Sequence, residues 1–367
     1  MRRLAWLLPF AVAATLAALS HRSTYPLGIE LPHGLDKVAH ALAFGALAFA
    51  LDFALVATRG DLPVYRRHLW VFLAAALYGA VDEWHQSFIP GRDASVGDWL
   101  ADCAGAALGL AAACLPWFRS RRLGRLSWRR GEARRPHPER PLILVADPHW
   151  EGELTGLATA TAAHPQVDWL FLGDVFELWI GLPGMRSPAQ EAFLAWVDQR
   201  RAAGAWVGLW LGNREYFLDR LAPRFDLMGE GLGGGLPEEG LAFEHGDLVD
   251  AGDWRYRLWN QVSRSVWFWL LGRVLTPKAA AALARALARR TSSANREYRL
   301  PFPKAAFAAA AAAHPQATYL TGHFHRHEEV GTGIALPWAH EGCFMCWSGG
   351  RVEPLDSTSA AKAGPRN

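Results

Sequence analysis

Four apolar runs, at about 4–20, 39–57, 68–84 and 98–118, fill the start of a 367-residue chain. Each is close to the roughly 20 residues that a helix needs to cross about 30 Å of hydrocarbon. A backbone in lipid must satisfy its own amides, so runs of this kind fold as helices. Arg2 and Arg3 ahead of the first run resemble the start of a secretory leader. Three further runs follow, and the first is read as a spanning helix. The spacing therefore predicts a four-helix membrane unit over 1–118. An Arg-dense linker (119–140) and a stretch of ordinary globular composition come after it.

Basic residues set the expected orientation. Arg2 and Arg3 precede the first run, and Arg59, Arg66 and Arg67 lie between the second and third. Nine arginines crowd 119–140, "RSRRLGRLSWRRGEARRPHPER". The other two loops hold only Arg22, Lys37 and Arg92. Both ends of the unit are thus expected to face the cytoplasm, with the linker against anionic head groups. The net charge of +3 is too small to point to nucleic acid, and no aromatic stacking platform accompanies the arginines. No nucleic-acid partner is expected.

Polar residues gather toward the opposite side. Asp36 and His40 are four apart, as are Asp82 and Gln86, and Asp98 and Asp102. That spacing places each pair on one helical face. Arg92 lies in the loop after Pro90-Gly91, and Gly105 and Gly109 permit close helix packing. The pattern D-K-x-x-H, then D-E-x-x-Q-x-F-x-P-x-R, then a D-x-x-x-D-x-x-G helix, resembles the VanZ family of small membrane proteins over about 30–112. The resemblance implies an inner-membrane four-helix unit. Its polar residues are read either as a site for an envelope lipid or glycan precursor, or as interhelical glue.

From residue 141 the pattern changes to short apolar runs that end in polar residues. "PLILVADPHW" ends in Asp147 and His149, "VDWLFLGD" in Asp174, and "AWVGLWLGNR" in Asn213 and Arg214. "LAFEHGD" ends in His245, and "ATYLTGHFHRH" in His323 and His325. Ligand-bearing α/β folds gather their sites at such strand ends. Each dipeptide alone is a common turn. All five in order, D-x-H, G-D, G-N-R, H-G-D and G-H-x-H, resemble the calcineurin-like metallophosphoesterases.

That resemblance implies a β-sandwich core flanked by helices, with two divalent ions, Mn2+ favoured. It assigns Asp147, His149 and His325 to one ion and Asn213, His245 and His323 to the other, with Asp174 shared. Asp174, Asn213, His245 and His323 carry the catalytic role. Mixed oxygen and imidazole ligands by themselves suit Mn2+, Fe or Zn2+. Two such ions activate a water and offset phosphoryl charge. Arg214, next to Asn213, is placed to clamp phosphate. His327 shares the parity of His323 and His325, and is read as a rim residue.

Within that family, "GNREYFL", "GDVFELWIG", "HGDLVDAGDWRYR" and "WAHEGCFM" resemble the UDP-2,3-diacylglucosamine hydrolases over about 141–350. The implied reaction is hydrolysis of a lipid-linked nucleotide pyrophosphate to UMP and 2,3-diacylglucosamine 1-phosphate, a step of lipid A synthesis. Asp253 and Tyr256 fall at matching positions, and Arg290 and Arg296 are candidate cationic contacts. Residues 254–313 are expected to form a helical lid with Trp259, Val262, Val266 and Trp269 as its apolar stripe. Glu215, Leu182, Pro183 and Phe324 depart from the family pattern. Two alternatives stand: another nucleotide or lipid-linked pyrophosphate as substrate, or an envelope-lipid binding or glycopeptide-resistance factor dominated by the membrane unit. The hydrolase domain (141–354) is expected in the cytoplasm of a bacterium, tethered to the inner membrane. Residues 355–367 read as a disordered tail. Four cysteines give no disulfide framework, and Cys343 and Cys346 read as two buried small residues on a C-terminal strand.

Overall fold

The computed structural model describes residues 2–21, 35–59, 62–90, 92, 94–114, 128–182, 184–250, 253–276, 278–279, 282–283, 286, 302–339 and 342–355. They divide into two compact units.

The first unit contains α1 (Leu7–Ser20), α2 (Leu35–Thr58), α3 (Val64–Gln86) and α4 (Val96–Ala113), together with Trp254–Trp269. The buried positions of α3 include Val64, His68, Val71, Ala75, Gly79, Asp82 and Gln86. This alternating spacing of three and four is that of a bundle seam. Tyr78 Oη donates to Ala13 O, and Ser20 Oγ to Asp82 Oδ2, so α1 and α3 run parallel. The backbones of α2 and α4 touch at their glycines. A Cβ on Gly105 would lie 2.0 Å from Ala41 O, and one on Gly109 2.2 Å from Gly45 O. These two helices are also parallel to each other. The C-terminal ends of α1 and α3 therefore meet the N-terminal ends of α2 and α4.

Among the described residues, α2 and α4 are long and apolar enough to cross a membrane. Leu4–Ser20 is apolar but shorter. The length of α3 suffices, but Arg66, Arg67, His68, Asp82 and Glu83 dilute its apolar character. Four apolar runs thus become four helices, two of which meet the criterion for spanning.

The second unit is a mixed α/β domain. Its larger sheet joins β1 (Trp128–Gly131), β2 (Leu142–Val145), β3 (Asp168–Phe171), β5 (Val207–Leu211), β7 (Leu227–Glu230), β13 (Met345–Ser348) and β14 (Arg351–Pro354) in the order β1-β7-β5-β3-β2-β13-β14. The central pairs β2–β3, β3–β5 and β5–β7 are parallel. A five-stranded sheet joins β8 (Gly234–Leu236), β9 (Leu241–Glu244), β10 (Thr318–Thr321), β11 (Glu328–Val330) and β12 (Gly333–Ala335) in the order β11-β12-β10-β9-β8. Here β9, β10 and β12 are parallel. A short ladder pairs β4 (Trp179–Ile180) with β6 (Glu215–Tyr216).

Alternation along the strands builds the layers. Leu142 and Leu144 share a core with Trp210, Phe243 and Leu320, which closes the two sheets face to face. Ile143, Val145, Trp169 and Phe171 point the other way, onto Leu157 of α5 (Leu157–Ala163) and Phe193 and Val197 of α6 (Pro188–Ala202). Outside the second sheet, Ala242 and Tyr319 pack with Phe307 and Ala311 of the helix Lys304–Ala311. Central parallel strands buried on both faces read as continuous apolar runs, which is how they appeared in sequence.

Three sequence expectations differ from this structure. Part of the Arg-dense segment belongs to the sheet domain: β1 pairs with β7, and Arg135 is buried between Asp168 and Glu239. The lid's apolar stripe is split between two helices, α7 (Trp254–Ser263) and α8 (Val266–Val274), broken at Arg264-Ser265. Trp259 and Val262 are exposed while Val266 and Arg264 are buried. Cys343 is exposed and precedes β13, whereas Cys346 is half-buried within it. The tail from residue 356 lies outside the described residues.

Candidate metal centre

The strands deliver their polar termini to one place because five of them run parallel in their own sheets. Asp147 follows β2, Asp174 follows β3, Asn213 follows β5, His245 follows β9, and His323 and His325 follow β10. Six non-glycine residues among those described have positive φ, and five are Asp147, His149, Asp174, His323 and His325. Left-handed backbone at residues other than glycine is uncommon. Each such residue costs about 1–3 kcal/mol and persists where the surroundings impose it, most often at functional sites. The sharp turn after each strand is what swings these side chains inward.

One ligand atom from each of Asp147, His149 and His325 lies within 4.8 Å of the others, and the same holds for Asp147, Asp174 and His245. His149 Nε2 and His325 Nε2 are 3.3 Å apart. Two imidazole nitrogens about 2.1 Å from one tetrahedral ion would be separated by roughly 3.4 Å. Asp174 turns Oδ2 toward His149 Nε2 (3.8 Å) and Oδ1 toward His245 Nε2 (3.5 Å), between the two groups. Asn213 Oδ1 is 2.9 Å from His245 Nε2, and the His323 ring meets that of His245 edge-on. The His323 amide donates to Asp147 Oδ2 at 2.6 Å, and His245 Nδ1 lies 2.8 Å from Leu172 O. His325 stacks on Trp338.

The donor set fits divalent ions. Asp147 is wholly buried, yet among the described residues its Oδ1 takes part in no hydrogen bond, and neither does His149 Nδ1. Buried polar atoms in that state are costly unless something else satisfies them. Burial lowers His149 to about 3 and His323 to about 4, and holds His325 below the ordinary imidazole range. These rings are neutral, as ligation requires. Burial pushes the Asp147 carboxyl up to about 8, with the nearby Asp174 charge adding to the shift. Burial would also raise Asp174, but the charge and hydrogen bond of His245, whose own imidazole is held well above its ordinary value, outweigh it together with the Arg214 charge and keep its carboxyl well below the usual range.

Two further residues shape the centre: Glu215, noted in sequence only as a departure from the family pattern, and Glu177, not singled out there. Glu215, wholly buried, accepts the amides of Asp174 (2.9 Å) and Gly212 (2.8 Å) on Oε2 and that of Val175 (2.8 Å) on Oε1. It ties the loops after β3 and β5 together. Glu177 lies 3.7 Å from His149 Nδ1 and 3.6 Å from Arg214 Nη1. Arg214 is buried, its amide donating to Asp174 Oδ1 and its Nε 3.8 Å from Asp174 Oδ2. A carboxylate three residues after G-D, and another just after G-N-R, were the available signals.

Of the other predicted contacts, Tyr256 is half-buried near the start of α7, its hydroxyl accepting from Asn260 Nδ2. Tyr256 belongs to the first compact unit, whereas Asp253 belongs to the second, with the strand-end residues. Arg290 and Arg296 lie outside the described residues. His327 is exposed and pairs with Glu329. Two of the departures from the family pattern have packing roles. Leu182 is buried against Gly272, and Phe324 packs on Phe302 and Phe307.

In the helical unit the predicted polar residues do collect at one end. His40 Nδ1 is 2.9 Å from Asp102 Oδ1, and Gln86 Nε2 donates to Asp82 Oδ2 at 2.9 Å. Lys37 bonds Asp98 (2.6 Å) and lies 3.4 Å from Asp36. Arg92 is half-buried, its amide bonded to Ile89 O. Glu83, beside Asp82, joins this group, its Oε2 accepting the Ser95 amide. At the other end, Asp52 and Arg67 form a buried ion pair at 2.5 Å that sequence reasoning missed. Arg67 is therefore an internal charge and not a surface one.

No curated protein matches the chain. Residues 2–118 match the VanZ/LLP1 family model, and the four-helix unit is thereby a VanZ/LLP1 domain.

Proposed function

We propose that the sheet domain is a two-metal phosphoester or phosphoanhydride hydrolase. The observation that carries this reading is the double ligand group built on Asp147, with Asp174 facing both halves and strained backbone at four of its residues and at neighbouring His323. Asp147, His149, Asp174 and His325 would hold one ion, and Asp174, Asn213, His245 and His323 the other. Bound there, the ions, most simply Mn2+, would supply an activated water and offset phosphoryl charge. Arg214 orients the phosphate as a charged donor, and Glu177 and Asp174 hold its guanidinium in place. Glu215 fixes the loops and touches no reacting atom.

Motif resemblance supports UDP-2,3-diacylglucosamine as the substrate, cleaved to UMP and 2,3-diacylglucosamine 1-phosphate. Exposed Leu270, Leu271 and Val274 of α8 offer apolar surface for acyl chains. Positive residues flanking the apolar runs favour a multi-pass membrane protein with the hydrolase on the cytoplasmic side. Such a tether holds the domain where a two-tailed substrate resides. The test is incubation of the purified chain with UDP-2,3-diacylglucosamine and Mn2+. UMP release that vanishes in His245→Ala is expected. Turnover of a generic phosphodiester without UMP release would instead move the substrate to another pyrophosphate.

A further inference from the structure

The polar end of the helical unit has the makings of a separate cation site. The glycine contacts between α2 and α4 set its register: Ala41 lies against Gly105 and Gly45 against Gly109. Toward the N-terminal ends of both helices, the same register brings His40 to Asp102 and Lys37 to Asp98. Asp102 is fully buried and sits under Gly79 of α3, where a Cβ would lie 2.9 Å from its Oδ2. Among the described residues that Oδ2 has no hydrogen-bond partner. Glu83 enters from α3 at 6% exposure, and its Oε1 also has no hydrogen-bond partner among the described residues. Ser95 caps α4 through the Asp98 amide and gives its own amide to Glu83 Oε2, which holds Glu83 and Asp98 side by side. One ligand atom from each of His40, Glu83 and Asp98 lies within 4.8 Å of the others. Donors about 2.1 Å from one tetrahedral ion would be separated by roughly 3.4 Å, so the three groups would close by up to about 1.4 Å on binding.

We infer that His40, Glu83 and Asp98 bind one divalent transition-metal ion. One imidazole and two carboxylates suit Zn2+. Asp102 is a positioning residue: its Oδ1 accepts the hydrogen bond of His40 Nδ1–H and leaves Nε2 to ligate, the carboxylate–histidine–metal arrangement. Three protein ligands leave a coordination position open to water, as in sites that do chemistry. The inference rests on the VanZ/LLP1 domain alone and is independent of the hydrolase reading.

The test uses full-length protein in detergent micelles, stripped with chelator, reloaded with Zn2+, desalted and assayed for metal per chain. An Asp174→Asn, His245→Ala background removes the strand-end centre. One ion per chain should remain there. It should be lost on adding His40→Ala or the near-isosteric Glu83→Gln, with helical circular dichroism unchanged. Asp102→Asn should keep the ion but weaken its affinity about 10–100-fold. Thr15→Ala, on the exposed face of α1, should change nothing. A background protein that binds no Zn2+, or an ion retained in both His40→Ala and Glu83→Gln, overturns the inference. If wild type holds a single ion that leaves with His40, the bundle site stands and the hydrolase centre fails.

Discussion

Arg135→Met should unfold far more than its charge would suggest. The Arg135 guanidinium donates to Asp168 Oδ2 at 2.9 Å, to Glu239 Oε1 at 2.7 Å and to the carbonyls of Arg140 and Pro138. Its side chain and that of Asp168 are each 1% exposed. Removing one partner of a buried pair leaves the other charge uncompensated, at about 3–5 kcal/mol. For a unit of this size that is roughly 2–4 °C per kcal/mol, or about 6–20 °C in Tm. Arg134 is the internal control, because its pair with Glu238 has side chains 68% and 60% exposed. Arg134→Met should cost about 1 kcal/mol at most. Arg135→Lys keeps the charge but loses the forked geometry, and should fall between them. Differential scanning calorimetry of the full chain in micelles reads the three variants. Equal Tm values for the two methionine variants would refute the claim that this segment is part of the sheet domain.

Gly212→Ala places a Cβ 2.4 Å from Asp174 Oδ1 and 2.8 Å from His245 Cε1, so a ligand must move. Hydrolysis should drop about 100-fold, the scale of a 1 Å misplacement, while circular dichroism stays native. Mn2+ affinity should rise with pH. Burial holds Asp147 at about 8, and the charges of Asp174 and Asp147 outweigh burial to raise the His245 imidazole, so protons must leave both when metal binds and affinity climbs between pH 6 and 8. Calorimetric titration in buffers of different ionisation enthalpy should count the released protons, and a flat profile over this range would remove the argument. Burial also pushes the Cys346 thiol up to about 11, so a maleimide at pH 7 should label exposed Cys343 well before Cys346. Equal labelling rates, read by mass spectrometry, would contradict that burial.

Strand ends were legible because a buried parallel strand is a run of apolar residues, and each of five runs stopped at Asp, Asn or His. The i, i+4 polar pairs of the bundle were legible for the same local reason, as with Asp82 and Gln86. What stayed hidden depends on partners distant in sequence. Arg135 meets Glu239 across 104 residues, and Glu215 holds the Asp174 amide across 41. In sequence, Arg135 is one arginine among nine, and Arg67 one of a basic pair, until Asp168 and Asp52 are seen beside them. The apolar stripe from Trp259 to Trp269 fits one helical period, but the helix breaks at Arg264-Ser265 and the period no longer says which side is buried.

The central claim is that Asp174 lies between two ions that together hydrolyse a phosphoester. Electron paramagnetic resonance of the Mn2+-loaded chain, with bis(p-nitrophenyl) phosphate turnover on the same sample, tests it directly. A spin-coupled Mn2+ pair together with turnover, both lost in Asp174→Asn, is the predicted result. Isolated Mn2+ signals alone, with no turnover in wild type, would contradict it.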